Sequence, residues 1–289
     1  MYKRVSGTLH FLILLLLVIL LGTCGSSLYF IKGEPGIAPA ARFSYTPVPT
    51  VPPTVDTAPE PGWSLLQPGL EQRVNNIYNA SNQLVESVHI WRLDQNYFRL
   101  DVAYDEMPKS LETWERETNA LIVVNGGFYS VDNERYFPDG LTIVNGVASG
   151  RSFNGFGGML AIYASRAELR WLLQRPYNSS EPLQAALQAF PILIQPGGVL
   201  GFGAERESNV SARRTVIGQD KAGRILFIVA PEGYFILHQL SVYLTQSNLN
   251  LDIALNLDGG GSTGILVASP REIISPNRPL PFVILVYPR

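Results

Sequence analysis

Cysteine is nearly absent from this sequence, since Cys24 is the single copy among 289 residues. One cysteine cannot form a disulfide within the chain, so no disulfide framework stabilises the fold. Cys24 ends the segment Leu21-Gly22-Thr23-Cys24, which loosely resembles a bacterial lipoprotein cleavage box, although threonine fits that box poorly. We interpret Cys24 as a small apolar residue of the N-terminal apolar segment.

Histidine is scarce as well, with copies only at His10, His89 and His238. No His-x-His or His-Glu-x-x-His spacing occurs, so the sequence carries no recognisable zinc site. Walker A and dinucleotide-binding fingerprints are missing too. We therefore predict no cofactor, while a Ca²⁺ ion bound by carboxylates stays open, although no acidic loop has the spacing of an EF-hand.

Charged residues are also few, at 16% of the chain against about 25% in an average globular protein. The 24 acidic and 22 basic residues nearly balance, and the formal net charge is -2. Because no excess of positive charge attracts phosphate backbones, we predict no nucleic-acid partner.

The N-terminus carries Lys3 and Arg4, and residues 5–31 then contain no charged side chain. A cleaved signal peptide would account for this segment, since small residues follow its apolar part. We favour an uncleaved signal-anchor over residues 1–32, because the apolar span reaches the roughly 20 residues that cross a bilayer. The expected location is the cell membrane, single-pass, with an extracytoplasmic domain. A secreted protein or a lipoprotein is the alternative.

Proline is concentrated after the apolar segment, with eight copies in residues 33–62. Proline fixes φ and removes a backbone donor, so this stretch is typical of a semi-rigid, extended linker. The remaining residues, 63–289, are numerous enough for one large core. We therefore predict a membrane segment at 1–32, a Pro-rich linker at 33–62 and a single domain at 63–289.

Strand-like and helix-like patterns mix within this domain. Apolar residues at helical spacing predict a helix over 236–244, and Ser180 with Pro182 predicts a second helix over 181–189. Alternating or continuous apolar runs predict strands at 87–93, 97–102, 121–124, 225–229, 253–257 and 281–287. Strand, helix and strand over 225–257 suggest a βαβ unit. The predicted fold class is α+β or mixed α/β, with one sheet-centred domain.

The most distinctive motif is Asn-Leu-Asp-Gly-Gly-Gly-Ser at residues 256–262. A predicted strand delivers Asp258 directly to three glycines, which cost conformational entropy and exceed what a turn requires. Glycines let the main chain approach a ligand and present N–H groups to an anion. Asp258 is therefore a candidate functional carboxylate. A tight turn around a satisfied aspartate is the structural alternative.

Ser262 also fits the G-x-S-x-G pattern of serine hydrolases, with Gly260 and Gly264 on either side. The α/β-hydrolases place their catalytic histidine after the serine. No histidine follows Ser262 in this chain. We therefore do not predict a serine nucleophile.

Two further motifs contain candidate ligand-binding groups. Asn125 begins Asn-Gly-Gly-Phe-Tyr, in which the asparagine is suited to a hydroxyl group and the aromatic pair to a sugar ring, although Asn-Gly is also a strong hairpin signal. Asp139 lies in a Pro-Asp-Gly sequence that is a turn by default. Arg213 and Arg214 precede an apolar strand, so they point to opposite faces, and one guanidinium can bind phosphate while the other is solvated.

In their order along the chain, three motifs resemble those of the phosphodiester glycosidase family. They are Asn-Gly-Gly-Phe from Asn125, Arg-Thr-Val-Ile-Gly from Arg214 and the motif at 256–262. The resemblance covers roughly residues 73–288. It implies hydrolysis of a sugar-1-phosphodiester, in a glycan or the cell envelope, at the glycosidic bond. It implies catalytic roles for Asp258, Asp139 and Arg214. It implies substrate contacts from Asn125, Gly126, Phe128, Thr215, Gly259, Gly260, Gly261 and Ser262.

Two other functions stay open. A non-catalytic glycan-binding protein of the cell surface would use Phe128 and Tyr129 without needing Asp258 and Arg214 together. A phosphodiesterase would cleave the P–O bond instead of the glycosidic bond. The expected partners are a glycan or sugar-phosphodiester substrate and the membrane.

Overall fold

The computed structural model describes residues 62–152 and 157–289, together with a short strand at 54–55. The predicted anchor and most of the predicted linker lie outside these residues. Within the part that is described, no helix is both long and apolar enough to cross a membrane.

Nine strands, numbered in chain order, form the largest sheet. Its spatial order is β1 (Thr54–Val55), β3 (Leu70–Tyr78), β4 (Leu84–Leu93), β17 (Ile225–Ala230), β16 (Arg214–Asp220), β18 (Leu251–Asn256), β14 (Ile192–Gln195) and β15 (Val199–Leu200), while β2 (Ser64–Gln67) also pairs with β3. All neighbouring pairs are antiparallel. β1 lies at the edge of the sheet, where a segment bordered by prolines is tolerated.

Two five-stranded sheets and one hairpin complete the strand structure. The second sheet has the order β20 (Arg271–Ile274), β19 (Ile265–Ala268), β6 (Ile122–Asn125), β21 (Leu280–Pro288) and β5 (Phe98–Lys109). The third sheet has the order β10 (Val147–Ser149), β9 (Thr142–Val144), β13 (Ala185–Ala189), β11 (Gly158–Ile162) and β12 (Ala167–Trp171). The hairpin consists of β7 (Tyr129–Asp132) and β8 (Arg135–Pro138).

Helices are few and short in the described residues. They are α1 (Leu111–Thr118), α2 (Leu237–Gln246) and the 3₁₀ turns Ala204–Arg206 and Gly260–Ser262. α1 begins where the Ser110 side chain accepts a hydrogen bond from the Thr113 N–H, and it ends at Asn119 with φ at 53°. α2 confirms the helix predicted from apolar spacing.

Buried side chains from all three sheets pack into one core cluster. Trp91 and Phe227 contribute from the first sheet, Ile284 from the second and Leu187 from the third, and the first two side chains are fully buried. Close packing of this kind fixes the ends of the strands that enter the core. The same core therefore positions the loops that follow β6 and β18.

The architecture is mainly β with few helices, so the predicted α+β class overestimates the helical part. The helix predicted over 181–189 is wrong, because residues 185–189 form β13. All five residues of β13 are buried, and the strand pairs with β11 on one side and with β9 on the other. A place inside a sheet overrides the helix propensity of an alanine-rich segment.

The predicted strand, helix and strand over 225–257 are present as β17, α2 and β18. β16 lies between the two strands and is antiparallel to both, so β17 and β18 run parallel without pairing. This arrangement brings the end of β18 beside the start of β16.

Candidate functional site

Strand ends from two sheets meet around Asp258. The Asp258 N–H donates to the Gly126 carbonyl just after β6 (3.1 Å), and the Leu257 N–H donates to the Thr215 carbonyl in β16 (2.9 Å). The three motifs that the sequence singles out are therefore adjacent in space, although 133 residues separate Asn125 from Asp258.

Asn125 is a buried link between these motifs. Its Oδ1 accepts hydrogen bonds from Thr215 Oγ1 (2.7 Å) and from the Gly264 N–H (3.0 Å). Its Nδ2 donates to the Asp258 carbonyl (2.7 Å). Both polar atoms of the side chain are thus bonded within the protein, and Asn125 with Thr215 positions the main chain at Asp258.

Gly126 and Phe128 pack against the core beside this link. A Cβ at Gly126 would lie 2.9 Å from Phe282 Cβ, so close packing requires glycine there. Phe128 stacks on Phe190, with ring centroids 4.4 Å apart. Tyr129 contacts Tyr136 across the hairpin, at 5.3 Å between centroids. The aromatic pair predicted as a sugar platform therefore contacts other rings of the protein.

The three glycines after Asp258 shape a turn with specific contacts. The Gly259 N–H donates to Asp258 Oδ1 (2.9 Å) and the Gly260 N–H to the Arg213 carbonyl (2.8 Å). Gly260 has φ at 57°, which a residue with a side chain rarely adopts. A Cβ at Gly259 would lie 2.9 Å from the Arg213 carbonyl oxygen. Two of the three amides are thus used within the turn.

The Asp258 carboxyl has an environment unlike that of an exposed aspartate. Burial is the largest effect and raises its pKa, and the negative charge of Asp139 acts in the same direction. Hydrogen bonds from Ser262 and Gly259 and the positive charge of Arg278 lower the pKa, but the net shift is upward. The Asp258 carboxyl therefore keeps its proton to a higher pH than an exposed aspartate does, as is common for groups at functional sites.

Asp139 supplies a second carboxylate to the same region. It is exposed at the end of the β7–β8 hairpin, and its Oδ1 accepts a hydrogen bond from the Ser130 hydroxyl. Its N–H donates to the Phe128 carbonyl (3.0 Å). The sequence predicts a turn here by default. In the structure, the negative charge of Asp139 in this turn raises the pKa of Asp258.

Arg214 lies beside the glycine turn, with its Cδ 4.0 Å from the position of a Cβ at Gly259. Its Nε donates to the Phe235 carbonyl (3.2 Å) and its Nη2 to the Val210 carbonyl (2.7 Å). Burial lowers the pKa of the guanidinium, and the charge of Glu207 opposes this shift. The site thus contains a half-buried cation that also ties two loops together.

Sequence reasoning missed two residues near this site. The Arg278 guanidinium lies against Gly261, and its charge acts on Asp258. Phe137 is a partly exposed aromatic residue directly opposite Ser130 in the hairpin, on the face that contacts Asp139. Arg278 stands among prolines in Ser-Pro-Asn-Arg-Pro, where no pattern distinguishes it from a solvated loop residue.

No group of three or more His, Cys, Asp or Glu side chains suited to a metal ion occurs among the residues that the structure describes. Two surface cavities, of about 480 and 600 Å³, are lined by residues other than the predicted site residues.

Ser262 is buried, and its hydroxyl donates to Asp258. We expect Ser262→Ala to keep substantial activity, because the two histidines in the described residues contact other groups: His89 contacts Glu272 and His238 contacts the Phe202 carbonyl. Since that hydrogen bond lowers the pKa of Asp258, its loss should move the acid limb of the pH–rate profile upward. Rate measurements across pH test this expectation, and covalent labelling of Ser262 by a fluorophosphonate would contradict it.

A family model and solved structures are similar to this chain. Residues 118–287, more than half of the chain, match the family model described as phosphodiester glycosidase. The fold is similar to the catalytic domain, auto-inhibited by pro-peptide, of zebrafish N-acetylglucosamine-1-phosphodiester alpha-N-acetylglucosaminidase. The TM-score is 0.62 at 17% identity, over 77% of this chain and 85% of that one. A hypothetical protein from Synechocystis has a TM-score of 0.53 at 16% identity, over 81% of this chain and 64% of that one. No curated protein matches the chain.

Proposed function

Because the chain belongs to the phosphodiester glycosidase family, we propose that it is a hydrolase that cleaves a sugar-1-phosphodiester at the glycosidic bond. The substrate class is a glycan or cell-envelope component in which phosphate links the anomeric carbon of a sugar to a second group. The reaction uses water and releases a free sugar and a phosphomonoester.

The observation that carries this proposal is the setting of Asp258. Its main chain is held at the end of β18 by the Asn125 link, and burial raises the pKa of its carboxyl. A second carboxylate, Asp139, and two arginines, Arg214 and Arg278, surround the same turn. A site with carboxylates for an anomeric centre and cations for a phosphate suits this substrate class.

In the proposed reaction, Asp258 takes a proton from the attacking water. The water oxygen bonds to the anomeric carbon while the bond from that carbon to the phosphate oxygen breaks. The electron pair of the broken bond leaves with the phosphate, whose charge a guanidinium stabilises. A phosphate leaving group requires less protonation than an alcohol, so a single general base is sufficient. Asp139 stabilises the positive charge that develops on the sugar ring.

Incubation of the full chain with a sugar-1-phosphodiester tests whether the site is catalytic. We expect stoichiometric release of the free sugar and a phosphomonoester, followed by ³¹P NMR. Saturable binding of the diester without turnover would contradict the proposal and favour a glycan-binding protein. Cleavage of the P–O bond to the sugar oxygen gives the same products, and the position of the new oxygen atom distinguishes it from cleavage at the glycosidic bond.

We also propose that the chain is held at the cell membrane, with this domain outside the cytoplasm, on the basis of the charge-free residues 5–31. The full chain should then fractionate with membranes and be released only by detergent. Recovery of the full chain in the soluble fraction at high salt would contradict the anchor.

A further inference from the structure

Two arginines flank the glycine turn, and the proposed reaction needs a cation at the substrate phosphate. The Arg214 guanidinium donates to two backbone carbonyls, those of Phe235 and Val210. Movement of this guanidinium toward a ligand would leave both carbonyls without these hydrogen bonds. Two of its five N–H donors are therefore already used in connecting the loops that contain these acceptors.

Arg278 differs from Arg214 in its exposure and in its contacts. It is exposed, and no other residue in the described ranges forms an ion pair or a side-chain hydrogen bond with its guanidinium. A Cβ at Gly261 would lie 2.6 Å from Arg278 Nε and 2.7 Å from Nη2, so the guanidinium lies directly on the glycine. Its donors are available beside the glycine turn, and its charge acts on Asp258. A planar guanidinium also suits the paired oxygens of a phosphate.

The loop that carries Arg278 is fixed by other contacts. The Asn277 N–H donates to the Gly261 carbonyl (2.8 Å). Arg213 Nη1 donates to Asn277 Oδ1 (3.0 Å), and Arg213 Nη2 donates to the Ser275 carbonyl (2.9 Å). Arg213, the neighbour of Arg214 in sequence, thus holds the loop against the glycine turn.

We infer that Arg278 binds the substrate phosphate, with Arg213 as a positioning residue and Arg214 as a structural connection. This assignment rests on the proposed function. It explains why residue 261 is a glycine, because any side chain at Gly261 would displace the Arg278 guanidinium. It also places the cation next to the carboxylate that acts on the neighbouring anomeric carbon.

Binding of inorganic phosphate to the full chain, followed by ³¹P NMR titration, tests the assignment without requiring turnover. We expect Arg278→Met to weaken phosphate binding by about tenfold to a hundredfold, the range of one or two charge-assisted hydrogen bonds. Arg278→Lys should recover only part of the affinity, since it keeps the charge without the planar fork. Arg116→Met is the matched control, because Arg116 is an exposed arginine on α1.

Gly261→Ala gives a second, independent test. The added Cβ meets the far end of a flexible side chain, so the guanidinium should move at little cost in stability. Phosphate affinity should fall by about tenfold while the melting temperature changes little. In turnover assays both Arg278→Met and Gly261→Ala should raise KM for the diester.

Arg214→Lys tests whether phosphate binding depends on Arg278 alone or also on Arg214. We expect it to lower the melting temperature, through the lost contacts to Phe235 and Val210, while the affinity for phosphate stays near that of the wild type. The assignment is overturned if Arg278→Met binds phosphate as the wild type does, if Arg214→Lys alone loses binding, or if the wild type binds no phosphate. Phosphate binding that depends on Arg278 without turnover of any sugar phosphodiester would support this assignment and reject the proposed function.

Discussion

Asp258→Asn is expected to lower kcat by about a hundredfold or more, the usual contribution of a general base. The amide keeps the shape of the side chain and an acceptor for the Gly259 N–H, but it cannot take a proton from water. KM should change less than kcat, because phosphate binding depends on other residues. Steady-state kinetics on a sugar-1-phosphodiester measure both parameters.

The stability of this variant distinguishes a chemical role from a structural one. The pKa of Asp258 is raised above its ordinary value of 3.8, so the folded state binds more protons than the unfolded state between these two pKa values. The contribution of Asp258 to stability therefore falls as pH rises through that interval. At neutral pH the amide removes this cost, and Asp258→Asn should melt no lower than the wild type. Lower stability with unchanged kcat would instead support a turn aspartate.

Asp258→Asn places asparagine before glycine, a sequence that is prone to deamidation back to aspartate. Mass spectrometry of the assayed sample excludes this source of residual activity. Asp258→Ala provides a second variant that cannot revert in this way, and it should be at least as inactive. The acid limb of the wild-type pH–rate profile should lie above pH 3.8, because the ionised carboxylate is the active form.

Asn125→Leu is expected to lower the free energy of unfolding by about 3 kcal/mol or more, because each buried partner left unsatisfied costs about 1–3 kcal/mol. The substitution removes the acceptor for Thr215 and Gly264 and the donor to the Asp258 carbonyl. The melting temperature should fall by roughly 6–12 °C. Activity should fall as well, since the turn at Asp258 loses its support.

Asn256→Leu is the matched control for this prediction. Asn256 is also a buried asparagine at the end of a strand, but its Nδ2 makes one hydrogen bond, to the Phe190 carbonyl, and its Oδ1 has no hydrogen-bond partner among the described residues. Its replacement should therefore cost distinctly less than that of Asn125. Equal melting temperatures for the two variants would show that the hydrogen bonds of the Asn125 side chain are not the source of its effect.

Hydrophobic patterns within short segments predicted the elements whose formation depends mainly on their own sequence. The apolar runs gave the main strands, and the apolar spacing of residues 236–244 gave α2. The helix expected over 181–189 failed because burial on both sides of β13 depends on strands that are distant in sequence.

In the candidate site, too, local sequence patterns predicted some residues, while others depend on contacts between distant parts of the chain. The motif at 256–262 revealed Asp258, because three glycines after a strand are unusual in themselves. The role of Asn125 as a link required its partners, which lie 90, 133 and 139 residues away in the chain. Arg278 carries no local signal, since only the approach of its loop to Gly261 brings it to the site.

In the proposed reaction, water attacks the anomeric carbon of the sugar and not the phosphorus. Hydrolysis of a sugar-1-phosphodiester in ¹⁸O-water, with both products analysed by mass spectrometry, tests it directly. The proposed mechanism predicts that ¹⁸O appears at the anomeric hydroxyl of the free sugar and that the phosphomonoester stays unlabelled. Label in the phosphomonoester would contradict the mechanism and identify a phosphodiesterase.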